Sequence, residues 1–201
     1  MSFTPGLAQA VQQSKIVHFS CWPLSKEPAR SAIEQMIRLA RSEGALIGFD
    51  PNYHPTIWDK GEDGAAYVKS VIGRVDVVKP SKDDADRLFG KDTPEHHLAR
   101  FVELGAKLVI LTLGADGILV SNGRETLQLD SVETEVVDAT GAGDAFWAGF
   151  YAGLIKGLTL AEAIKFGMEV SAYKLRHLGP VRHFPAAFLV TQPSHGGGQH
   201  T

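Results

Sequence analysis

Short apolar runs alternate with longer stretches of helical period along the chain. Residues 15–19 read as a strand. Residues 27–43 read as a helix, with Ile33, Met36, Ile37 and Ala40 at helical spacing and Gly44 as the stop. Residues 46–49 form the next apolar run. A polar loop holding Trp58 follows, then a helix near residues 64–73 and a strand over 75–78. Residues 83–89 and 94–104 read as two helices, stopped by Gly90 and Gly105. Residues 108–111 are a strand. Residues 117–120 and 125–129 flank Asn122-Gly123, a strong hairpin signal. Helices over 145–156 and 160–177 complete the pattern, with Gly179-Pro180 as terminator.

This alternation predicts an α/β fold: a mostly parallel sheet with helices on both faces. Ligands in such folds bind outside the carboxyl ends of the strands. The segments there are Ser20-Cys21-Trp22, Asp50-Pro51-Asn52, Lys79-Pro80-Ser81 and Thr112-Leu113-Gly114. All four end a strand in polar or turn-forming residues.

Composition narrows the classes. At 201 residues the chain can bury one sizeable core. A net charge of −3 gives no electrostatic reason to expect nucleic acid or membrane as partner. The single cysteine, Cys21, follows a strand and is expected as a buried or semi-buried thiol, compatible with a reducing cytoplasm. No apolar run approaches membrane-spanning length. Residues 191–201 are rich in glycine and are expected to be a flexible tail, with 1–190 as the folded part.

The richest chemistry lies in Val136-Val137-Asp138-Ala139-Thr140-Gly141-Ala142-Gly143-Asp144-Ala145-Phe146. It is expected to leave a strand, turn on two glycines and open a helix. Glycines at such a turn let backbone N–H groups point at an anion, and the helix adds its positive dipole end. Asp144 stands inside that anion site. An acid there is often only a cap or dipole partner. The following helix argues for more: it is small or apolar nearly all round, so its first turn should face an interior or a cleft. Small residues at 145, 148, 149, 152 and 153 would let neighbouring backbones approach.

Three other segments admit two readings each. Thr112, Gly114 and Gly117 make either a plain turn or a phosphate-holding one. Ser81 and Asp84 form a capping-box pattern, or Asp84 positions a hydrated Mg²⁺ through water. Asp50 and Asn52 are turn formers, or they grip a hydroxyl-rich ligand beside Trp58.

Taken in order, these segments resemble the PfkB family of carbohydrate kinases, which has the ribokinase-like fold. Asp138-Ala139-Thr140-Gly141-Ala142-Gly143-Asp144-Ala145-Phe146 is similar to that family's D-T-T-G-A-G-D-A-F signature. Phe49-Asp50-Pro51-Asn52-Tyr53 with Trp58 resembles its fructokinase and 2-keto-3-deoxygluconate kinase branch. The resemblance implies an ATP-dependent kinase that phosphorylates a hydroxyl of a sugar or keto-sugar. Asp144 would be the base, and Gly141, Ala142 and Gly143 the anion hole. Thr112, Gly114 and Gly117 would contact ATP, and Asp50 and Asn52 the sugar. Asp84 would stand near Mg²⁺, and Asp138 near a monovalent-cation site that some members have. Two other readings are a catalytically weak nucleotide- or sugar-binding protein, and a nucleoside or inositol kinase of the same fold.

Two departures stand out. His54 occupies a position where close relatives often carry Arg, and Arg alone offers a permanently charged fork. The match also covers about the last two thirds of the family pattern. The early strands and the β-lid over the sugar are expected to be absent. The sheet edge so exposed would favour aggregation or pairing with another chain, such as a second copy in a homodimer, and the chain alone should be slow or inactive.

Overall fold

The computed structural model describes residues 1–132, 135–185 and 188. The expected flexible tail lies outside them. The chain forms two compact units, residues 1–130 and 131–201.

The first unit is built on a six-stranded sheet of order β1-β2-β3-β4-β5-β6. The strands are β1 (Ile16–Ser20), β2 (Leu46–Asp50), β3 (Val77–Val78), β4 (Leu108–Thr112), β5 (Ile118–Ser121) and β6 (Thr126–Leu129). β1 to β4 run parallel, and β5 and β6 add an antiparallel hairpin. The mostly parallel sheet agrees with the alternating pattern. β3 is shorter than the apolar run suggests. Val75 instead closes a turn on Ile72, and Pro80, which has no N–H, stands two residues after Val78.

The crossovers are α2 (Ala29–Ser42), α3 (Gly64–Ile72), and the pair α4 (Lys82–Phe89) and α5 (Pro94–Glu103). The strand order advances one place at a time, so right-handed crossovers put these helices on one face. α2 buries Ala32, Ile33, Ile37 and Ala40, one stripe at helical spacing. In β4, Val109, Ile110 and Leu111 are fully buried. In β1 and β2 the paired residues Phe19 and Phe49 stack with ring centroids 5.0 Å apart. Asn122 closes the hairpin by accepting from the N–H groups of Arg124 and Glu125, both at 2.9 Å, while Gly123 takes φ +81°. One further helix, α1 (Pro5–Gln12), was not expected. It buries only Val11, too little apolar signal to stand out, although Thr4 caps it and Pro5 opens it.

The second unit pairs α6 (Ala142–Ile155) with α7 (Leu160–Leu175). Their contact runs through glycine. A Cβ on Gly149 would fall 2.9 Å from the Gly167 Cα, and one on Gly153 2.9 Å from the Ala163 Cα. The close approach expected from small residues is thus made at 149 and 153, whereas Ala148 is exposed. The strand expected before the glycine turn does not form. Val136 and Val137 are exposed, and the N–H groups of Val137 and Asp138 donate to the Leu175 carbonyl at 2.8 and 3.1 Å. β-Branched residues with no partner strand settle on the end of a helix instead.

Candidate active site

The glycine turn opens α6 in the second unit. Gly141 is the N-cap at φ +78°, ψ +8°, a left-handed conformation that a side chain would strain. No side chain caps this helix. Its first N–H groups have no acceptor within the helix, although that of Ala142 donates to the Ala139 carbonyl at 3.2 Å. Asp144 sits in that first turn and is exposed. Among the described residues its carboxylate has no hydrogen bond or ion pair. The capping explanation therefore does not account for it. Asp144 and Gly141 line a cavity of about 340 Å³ together with Thr140, Lys174 and Phe184. Ala142 and Gly143 belong to the same first turn of α6.

Behind this turn lies a charged knot. The Asp138 carboxylate accepts from Thr140 N at 2.9 Å and from Gly179 N at 3.0 Å. These backbone bonds, then the Thr140 side chain and the Lys174 charge, hold its pKa far below the usual carboxylate range. Lys174, from the last turn of α7, is buried. Its Nζ donates to the Asp138 carbonyl at 3.1 Å, to Asp138 Oδ2 at 3.4 Å and to the His177 carbonyl at 2.9 Å. The Ser171 hydroxyl, one turn earlier, donates to the Ala142 carbonyl at 2.9 Å. α7 thus grips the glycine turn at two points. Lys174 and Ser171 were missed in the sequence. A signal existed: Lys174 continues the inward spacing of Gly167 and Val170, a charged residue on a buried stripe.

In the first unit the carboxyl ends of β2, β3 and β4 converge. Asp50 forms an ion pair with Lys79 at 3.2 Å, the two side chains only 15 % and 6 % exposed. Asn52 is exposed and holds φ +33°, the one non-glycine residue with positive φ among those described. Asp84 is buried and makes the capping box with Ser81. Its Oδ2 accepts from Ser81 N at 3.0 Å and Ser81 Oγ at 2.7 Å, and its Oδ1 accepts from Tyr53 N at 2.7 Å. Both Asp84 oxygens are thus engaged by the capping turn and the Tyr53 backbone. Ser81 bridges to Thr112, whose N–H and hydroxyl donate to the Pro80 carbonyl at 2.9 and 3.4 Å. Gly114 and Gly117 both take positive φ, +63° and +83°, turning the chain into β5.

Trp58 packs under its loop. It is buried against Tyr67, with the Arg30 guanidinium over both rings, and a Cβ on Gly64 would collide with its ring at 2.3 Å. It is not placed to stack on a ligand. A second cavity, about 630 Å³, opens beside Trp22, Lys26, His54 and Thr56. The His54 ring accepts from Thr56 N at 3.4 Å and caps a short turn.

The whole arrangement has known counterparts. The model of the pfkB family carbohydrate kinases matches residues 2–187. A protein of Thermoanaerobacterium thermosaccharolyticum named ATP-dependent 6-phosphofructokinase is 54 % identical over 92 % of this chain and 58 % of its own length. The Halothermothrix orenii fructokinase structure shares 37 % identity with a TM-score of 0.70, covering 87 % of this chain and 59 % of that one. A Vibrio cholerae fructokinase, in fructose, ADP and potassium ion bound form, superposes with a TM-score of 0.76 at 27 % identity, over 84 % of this chain and 56 % of that one. The chain spans just over half the length of the relatives it matches. Its sheet, its glycine turn and the family match over nearly all its length agree: the chain belongs to the pfkB family of carbohydrate kinases, with the ribokinase-like fold.

Proposed function

We propose that this chain carries the phosphate-transfer part of an ATP-dependent sugar kinase, residues 1–190 being the C-terminal part of its kinase domain. One observation carries the reading. Asp144 is an unpartnered carboxylate, among the described residues, in the first turn of a glycine-capped helix and on the wall of a cavity. Asp144 accepts the proton of the acceptor hydroxyl as its oxygen bonds to the γ-phosphorus. The bond from that phosphorus to the bridging oxygen breaks, and the electron pair leaves with ADP. N–H groups of the 141–143 turn stabilise the charge on the transferred phosphoryl group. Mg²⁺ arriving with ATP would neutralise phosphate charge, and Asp84 serves the site by holding the Tyr53 loop and the α4 cap. Thr112, Gly114 and Gly117 line the turn assigned to ATP, and Asp50 and Asn52 the loop assigned to the sugar.

The acceptor we assign is a ketohexose, fructose 6-phosphate first and fructose second. Support comes from the relative named 6-phosphofructokinase and the two fructokinase structures. A cytoplasmic location suits a chain whose one cysteine is a buried free thiol. Among the described residues no helix is long and apolar enough to cross a membrane.

The test is ADP release by the purified chain with ATP and Mg²⁺, offered fructose 6-phosphate, fructose, keto-deoxy sugars and ribosides. Asp144→Asn should lower turnover roughly 10²–10⁴-fold, the usual range for a lost general base, with ATP binding retained. Turnover that survives this substitution removes Asp144 as base. ATP binding with no turnover on any acceptor would make the chain a binding protein.

A further inference from the structure

The resemblance implies a monovalent-cation site near Asp138. What the structure places there is an ammonium group. Lys174 Nζ is surrounded by the Asp138 carbonyl, Asp138 Oδ2 and the His177 carbonyl at 2.9–3.4 Å. Carbonyl and carboxylate oxygens are what a bare monovalent cation requires. An ammonium has one positive charge and three donors, and here three oxygens receive it. The lysine stem also passes beside the turn: a Cβ built on Gly141 would stand 3.9 Å from the Lys174 Cε. A second cation sharing these oxygens would be repelled at close range with little water between. The residues therefore do not fit a potassium ion.

We propose that Lys174 is a tethered cation. It holds the Asp138 segment and the Gly141 turn in register, in the place of a free monovalent ion, so this chain takes up no potassium there. Lys174 is a positioning residue: it acts on the anion hole through Asp138 and the turn.

The experiment uses the 201-residue chain and needs no catalysis, so its outcome is separable from that of the kinase reading. Thermal midpoints are measured in potassium, sodium and choline chloride at equal ionic strength, with Tl⁺ binding followed in parallel. The wild type should show no potassium-specific shift and no saturable Tl⁺ site. Lys174→Ala should melt lower, bind Tl⁺, and recover about 2–4 °C in potassium over choline, the size expected for occupation of one modest site. A merely structural lysine would not create that ion-specific rescue. A potassium-specific rise or Tl⁺ binding in the wild type would overturn the proposal. So would a folded Lys174→Ala chain indifferent to potassium. Should Lys174→Ala not fold, Lys174→Arg and the wild-type measurements decide: a potassium response in either one refutes the tethered cation.

Discussion

Single residues owe their chemistry here to what surrounds them. Cys21 is fully buried; burial first, and the Asp84 carboxylate second, push its thiol up to about 12. A thiol so raised has almost no thiolate near neutral pH. Ellman's reagent at pH 8 should leave the native chain unlabelled and label one thiol per chain in denaturant. Stoichiometric labelling of the native chain within minutes would contradict this burial. Asp144 and Asp84 make the opposite contrast. Both are acids in the first turn of a helix, and the sequence offered each a capping role and a functional one. Asp84 has Ser81 at the N-cap to bond with, and it does. Asp144 has Gly141 there, which brings no side chain. That difference was legible in the residue three positions upstream. The contacts of Lys174 with Asp138 were not, because they join residues 36 positions apart.

At the scale of elements, α6 and α7 show how little hydrophobic periodicity is needed when backbones touch. α6 has apolar and small residues on most sides, so its pattern says "buried" without naming a face. Glycine names the face. Gly149→Ala would bring a Cβ to 2.8 Å from Val170 Cγ2 and 2.9 Å from the Gly167 Cα. Overpacking of this kind costs about 1–3 kcal/mol. The expected result is a midpoint several degrees lower, read by calorimetry, while Ala148→Ser on the exposed side of α6 should change little. An unchanged midpoint in Gly149→Ala would contradict backbone contact between α6 and α7 at this position. α2, with its strong buried stripe, and α5, with its Thr93 cap, were readable nearly to their ends. β3 and the Val136-Val137 segment were not, because a strand exists only where a neighbour accepts its hydrogen bonds.

For the whole molecule, the charge pattern sets how it tolerates acid. The Lys82 bond first, and then the His97 bond, hold Asp86 at about 2 against the pull of partial burial. In Asp76, burial works upward, yet Lys107, Arg41 and the Ile47 N–H outweigh it and keep the group low. Both carboxylates are depressed in the fold. Their stabilisation is complete above the ordinary carboxylate range and is lost as pH falls through the lowered values. Melting midpoints should therefore be level from about pH 7 to 5 and fall between about pH 4 and 2. Asp86→Asn should melt lower at neutral pH and lose less over that acid interval. An equal loss in both chains would show that Asp86 is not a source of the acid sensitivity. The sequence by itself determined the α/β alternation, the glycine turn with Asp144 in the first turn of its helix, and the family. These depend on short stretches whose hydrophobic period, glycines and caps act locally. Only the tertiary structure decided that Asp84 is spent on a cap and on Tyr53, that Trp58 lies under its loop, and that Lys174 fills the oxygen cage at Asp138. Each of those outcomes depends on which distant partner reaches a polar group or ring first, and no local pattern records that distance.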